Sequence, residues 1–275
     1  MRFAHLLDDA AIFPPGNLPL AAAVRAHLAH GLAPHAGLVG PLVVAAADLP
    51  ALAEATAGLP AGSIELSVTV PEPAATGDLL DAVRRIRAVR AVAIEVAVPE
   101  HLRAEDVVPI LTVAIGQPPG VTVYVELPRD ARRELLLGEL AGTSYLAKIR
   151  TGGVRAELYP DEAELAGTVV AAVRAGVAFK ATAGLHHAVR NTDPATGFEQ
   201  HGFLNLLAAT DAALAGAGSD EVRGWLAERD GARLAARVGE LSPAARDAFR
   251  SFGTCSIAEP VAELGALGLL TPEEV

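Results

Sequence analysis

The chain has 275 residues, 51% hydrophobic and 20% charged, which suits one soluble domain with a large core. A formal net charge of −11 repels phosphate backbones and argues against nucleic acid as a partner, and the single cysteine, Cys255, rules out an intrachain disulfide or a cysteine-rich zinc site. The most apolar stretch, 32–60, is cut by Pro34, Pro41, Asp48, Pro50 and Glu54, so no membrane span is expected. The N-terminal segment carries Asp8 and Asp9 where an export signal needs an apolar run, so a cytoplasmic location is expected.

Short β-branched runs at 3–7, 38–45, 64–70, 91–98, 121–127, 145–150, 177–182 and 250–255 read as strands. Helix-period stretches fall between them at 20–30, 49–58, 77–90, 102–115, 128–140 and 161–175. Strands alternating with single helices imply parallel βαβ units. Eight such units close a (β/α)8 TIM barrel, here a single domain over residues 1–275. An open doubly wound sheet is the rival, because periodicity does not show closure. The rhythm breaks after Thr182, where about 65 residues pass before the last strand, with helical pattern at 203–216 and 219–249. Long barrel insertions commonly follow a strand at the C-terminal face, so 185–249 is expected to form an inserted helical lid.

Only two of the 22 basic residues are lysines, Lys148 and Lys180. A lysine kept in so arginine-rich a chain points to chemistry that arginine cannot do. Lysine can lose its proton and act as nucleophile or base. Strand alternation places Leu146, Lys148 and Arg150 on one face, and Ala178, Lys180 and Thr182 on another. Consecutive barrel strands are neighbours, so the two ammonium groups are expected close together, their repulsion lowering one pKa. Glu95 is an acid inside an apolar strand and needs a partner; Glu126 is similar but nearer a strand end. Asp8 and Asp9 end the first strand, one directed to the site and the other capping the next turn.

The insertion opens with His186, His187, Arg190 and Asn191 and later brings His201 and Asn205, a polar set suited to holding a substrate. The histidine spacing matches no metal motif, so no metal is expected. Ser256 with Glu259 makes a capping box, although barrels also bind phosphate at this position. Cys255 has no histidine near it in sequence and is not expected to act as a nucleophile.

These motifs resemble deoxyribose-phosphate aldolase and its class I aldolase relatives. Leu6-Leu7-Asp8 is similar to that family's first strand, and Glu95 falls where the family has the acid of its fourth strand. Lys148-Ile-Arg-Thr-Gly resembles Lys-Thr-Ser-Thr-Gly, whose lysine forms a Schiff base. Lys180-Ala-Thr-Ala-Gly-Leu resembles the next strand, whose lysine perturbs the first, and Phe252-Gly253-Thr254-Cys255-Ser256 resembles the family's last strand. The sequence departs at Glu95 (Asp in the family), Arg150 (a small hydroxyl residue), Ala183 (glycine) and Cys255 (serine). The last two positions belong to the family's phosphate site, so the resemblance implies a distant relative with a changed substrate.

The resemblance implies a lyase of aldolase type working through an imine, with Lys148 as nucleophile, Lys180 as its perturbant, and Glu95 with Asp8 moving protons. Arg150, Thr151, Gly152, Gly153, Thr182, Gly184, His186, His187, Arg190, His201, Asn205 and Ser256 are the expected substrate contacts. The partner expected is a small polar or anionic molecule, with no cofactor; a homo-oligomer is compatible with the sequence. Two alternatives stay open: a non-imine lyase, isomerase or decarboxylase whose lysines bind phosphate or stabilise an enolate, and a non-catalytic ligand-binding barrel.

Overall fold

In the computed structural model, which describes residues 2–274, the strand-forming runs close into a barrel. In chain order the barrel strands are β1 (Leu7–Asp9), β2 (Val39–Ala45), β3 (Ile64–Val70), β4 (Val89–Val96), β5 (Thr122–Glu126), β6 (Leu146–Arg150) and β7 (Phe179–Thr182). A short antiparallel hairpin of β8 (Asn191–Thr192) and β9 (Glu199–Gln200) precedes the last barrel strand, β10 (Phe249–Thr254). Every pairing around the barrel is parallel. β10 sits between β7 and β1, with Leu7 opposite Phe252, and this pairing excludes the open sheet. The fold is a (β/α)8 barrel.

Alternation explains the two faces of each strand. On β3, Leu66 and Val68 are fully buried towards the outer layer, while Ser67 between them points inwards. On β4, Ile94 and Val96 flank Glu95 in the same way. The outer layer begins with α1 (Leu20–His30), α2 (Leu49–Ala55), α3 (Leu79–Arg84), α4 (Ala104–Ala114), α5 (Arg132–Leu140) and α6 (Glu162–Arg174). α6 shows why such a segment is helical. Asp161 accepts a hydrogen bond from the Glu164 amide at 2.7 Å, and Leu165, Ala166, Val169 and Val170 form one buried stripe.

One expectation needs correction. The first strand begins at Leu7 rather than at residue 3, because His5 takes a φ of +49° and the chain turns there before pairing. The stretch 185–249 does form the expected helical insertion between β7 and β10, and its helices pack into the outer layer. Its helices are α7 (Phe203–Leu214), α8 (Ser219–Ala227), α9 (Gly231–Gly239) and α10 (Pro243–Ala248), and α11 (Ala258–Ala266) follows the barrel. Every residue from Phe203 to Ala213 is buried, because the helix is apolar except for Asn205, Thr210 and Asp211, whose side chains find protein partners. α7 therefore packs between α6, α8, α9, α10 and β10, with Phe203 stacked on Phe252 at 4.9 Å. Among the described residues, no helix is long and apolar enough to cross a membrane.

Candidate functional site

The barrel interior is polar where most barrels are filled with aliphatic side chains. The register places Lys148 directly opposite Lys180, Glu126 opposite Lys148, and Glu95 opposite Tyr124. Alternation turns all of these inwards, and the result is a continuous chain of alternating charge. Ser251 Oγ donates to Asp8 Oδ2 at 2.7 Å, and Lys180 Nζ lies 2.5 Å from the same oxygen. Lys180 Nζ is also 2.6 Å from Glu95 Oε1, to which Ser67 Oγ donates at 2.8 Å. The second oxygen of Glu95 lies 2.9 Å from Lys148 Nζ, which is 3.2 Å from Glu126 Oε2. Arg150 Nε then donates to Glu126 Oε1 at 2.9 Å.

Three basic side chains alternate with three acidic ones, so the chain carries no formal net charge. Burial disfavours the charge on Glu95, but Lys180 and Lys148 outweigh it and hold this carboxyl well below the ordinary value. Burial likewise opposes the charge on Glu126, yet Lys148 and Arg150 keep its pKa low. Burial also works against the Lys180 ammonium, but Asp8 and Glu95 raise its pKa above that of an ordinary lysine. At Asp8, burial prevails and pushes the carboxyl up despite Lys180 and Ser251. The Tyr124 ring lies 5.4 Å from Lys180 Nζ, and burial pushes its phenol up to about 12.

The expected repulsion between the two lysines is thus offset in this arrangement. Glu95 lies between them and gives one oxygen to each ammonium. Access separates them as well. A cavity of about 620 Å³ opens at the C-terminal ends of the strands, and Lys148, Glu95, Glu126, Arg150 and Thr182 line it. Lys180 does not line it; its side chain is 1% exposed. Asp8 also lies below this cavity. The remaining walls are largely apolar, including Phe13, Pro14, Val43, Val154 and Leu158.

Of the other expected contacts, Gly153 reaches the cavity and the rest do not. Gly152 and Gly184 pack against each other and the Tyr159 ring; a Cβ on Gly152 would lie 2.6 Å from Tyr159 Cε1. Thr151 Oγ1 donates to the Ala183 carbonyl at 2.5 Å and so holds the loop after β7 rather than facing a ligand. Ser256 Oγ accepts the Glu259 amide at 3.3 Å, the capping role. Arg190 is tied to Glu162, Glu199 and His201, and His201 Nε2 meets the Pro160 carbonyl at 2.8 Å. Asn205 bonds the Arg190 amide and the Trp225 and Glu228 carbonyls. His187 pairs with Glu263 on α11 at 2.6 Å. These polar residues brace the hairpin of β8 and β9 and the outer helices, because each finds a protein partner before it reaches the cavity.

His186 does not line the cavity but touches a residue that does. Its Nδ1 lies 3.4 Å from the Sγ of Cys255, which lines the cavity, so the histidine missing from the sequence near Cys255 is supplied by the loop after β7. Burial pushes the thiol pKa up and the imidazole pKa down, which favours the neutral pair over a reactive thiolate. Among the described residues, no group of three or more His, Cys, Asp or Glu side chains is placed to hold a metal ion.

Sequence reasoning missed Ser67, Ser251, Tyr124 and Gly40. The first three follow from alternation, as polar side chains on inward positions of apolar strands. Gly40 follows from packing alone: a Cβ there would lie within 2.3 Å of Asp8 Oδ1, so glycine makes room for the carboxylate. Compared with protein-family models, curated proteins and solved structures, the chain matches none.

Proposed function

We propose that this barrel is an enzyme of class I aldolase type, in which Lys148 forms an imine with a small carbonyl substrate. One observation carries the reading: Lys148 is the lysine that reaches the cavity, and it touches two carboxylates there. The motif resemblance around Lys148 and Lys180 supports the same assignment.

The chemistry follows from the neighbours. The ammonium of Lys148 passes a proton to Glu126 or Glu95, and the free amine attacks the substrate carbonyl carbon. The carboxylic acid so formed returns its proton to the carbinolamine hydroxyl, which leaves as water and gives the imine. The protonated imine then accepts the electron pair of the breaking carbon–carbon bond. The same carboxylate takes the proton from the departing hydroxyl, and protonation of the enamine and hydrolysis restore the lysine. Lys180 is a positioning residue in this scheme. With Ser67 it occupies Oε1 of Glu95 and so directs Oε2 to Lys148.

The substrate is small, polar and without a phosphate. Arg150, the one guanidinium lining the cavity, already faces Glu126, and the chain of charges is neutral without a ligand. A phosphate would enter with no free cation to meet it. Lys148→Arg distinguishes this reading from one in which the lysines only supply charge. Arginine keeps the charge and is no nucleophile. The variant should lose cleavage and condensation of small aldols by at least about a thousandfold, each 1.4 kcal/mol being tenfold. Retention of a tenth of the activity would favour the charge-only lyase or isomerase.

A further inference from the structure

A second cavity, of about 670 Å³, opens at the opposite, N-terminal mouth of the barrel. We propose that this cavity is a binding site for a small phosphate-bearing anion, held by Arg2, Arg246 and Arg250. The three arginines come from the N-terminal segment, α10 and β10, and all of them line this one cavity. Most arginines of this acidic chain pair with a carboxylate, but among the described residues these three form no salt bridge.

Their present partners leave the charge unmet. Arg246 donates to the Phe249 carbonyl at 2.5 Å and to the Ala4 carbonyl at 3.1 Å, and Arg2 donates to the Gly239 carbonyl at 2.6 Å. Carbonyls satisfy donors without neutralising a cation. Burial lowers the Arg246 pKa to about 10, and Asp8 and Asp247 only partly oppose it while Arg250 adds to it. Arg250 makes no side-chain hydrogen bond among the described residues, so its fork of donors is free. Two carboxylates also line the cavity. Asp8 is engaged by Lys180, which leaves Asp247 as the one acid set against three arginines. The balance is positive, and planar guanidinium forks from three elements match the several oxygens of a phosphate.

The position has a consequence for the chain of charges inside the barrel. Asp8 forms part of this cavity's wall and bonds Lys180. An anion bound here therefore sits at the far end of the network whose other end is Lys148 and Arg150. The site does not depend on the imine reading, because it needs neither lysine to be a nucleophile.

Isothermal titration of the full chain with inorganic pyrophosphate at low ionic strength tests the site. One equivalent should bind, and Arg250→Gln and Arg246→Gln should each weaken Kd by about tenfold or more. Arg150→Gln, at the other mouth, should leave Kd unchanged. Arg250 is exposed on β10, so its variant carries the test if Arg246→Gln does not fold. Absence of binding at millimolar pyrophosphate, a Kd that neither variant moves, or loss of binding in Arg150→Gln would each overturn the proposal.

Discussion

Glu95 is one carboxylate serving two ammonium groups, and that makes it the most constrained side chain of the site. Its two oxygens are taken by Lys180 and Lys148, and Ser67 adds a third bond. Removing one member of a buried ion pair costs more than the pair contributes, because the partner's charge stays buried. Glu95→Gln should therefore lower unfolding free energy by about 3 kcal/mol, read from denaturant midpoints. It should also change the acid limb. A carboxyl whose folded pKa is depressed contributes fully above its unfolded value of 4.5, and that contribution is lost as pH falls through the folded value. The stability lost by the wild type below about pH 4.5 should thus shrink in the variant. Asp8 is shifted the other way, so subtracting the two curves isolates Glu95. An unchanged acid limb would mean that Glu95 is not held ionised by the lysines.

At the scale of elements, the strands were largely legible. β3 was read at its true bounds and β2 and β6 to within a residue, because β-branched runs bounded by turn residues have few other solutions. β1 was misplaced, since Phe3 and Leu6 are buried without being paired in a strand. The polar residues after β7 misled for a different reason. Sequence marks Arg190, His201 and Asn205 as needing partners, but it does not say whether the partner is a ligand or the protein. The glycines were half legible. Gly184 does sit at a positive φ, +74°, but a Cβ there would lie 2.8 Å from Tyr159 Cε1 and 3.0 Å from Thr151 O, so it serves packing under the cavity rim. Gly184→Ala should cost about 2–4 kcal/mol in thermal or denaturant unfolding, combining left-handed strain with overpacking. Ala183→Gly, next to it at φ +64°, should not destabilise. A neutral Gly184→Ala would contradict the packing account.

For the molecule as a whole, a barrel with a charged interior and an opening at each end differs from one whose core is filled with aliphatic layers. Its two mouths are chemically unlike. The upper cavity holds balanced charges among apolar walls, and the lower one has guanidinium groups in excess. The rarity of lysine pointed to the upper site, because two conspicuous residues lay on adjacent strands. Nothing comparable pointed to the lower one, since three arginines among many carry no signal until the fold brings them together. The role of Lys148 is open to trapping. The protein is incubated with a panel of small aldehydes and ketones, reduced with borohydride, digested and mapped by mass spectrometry. A reduced adduct is expected on Lys148 and none after Lys148→Arg; an adduct confined to Lys180, or none with any carbonyl compound, would rule out an imine at Lys148.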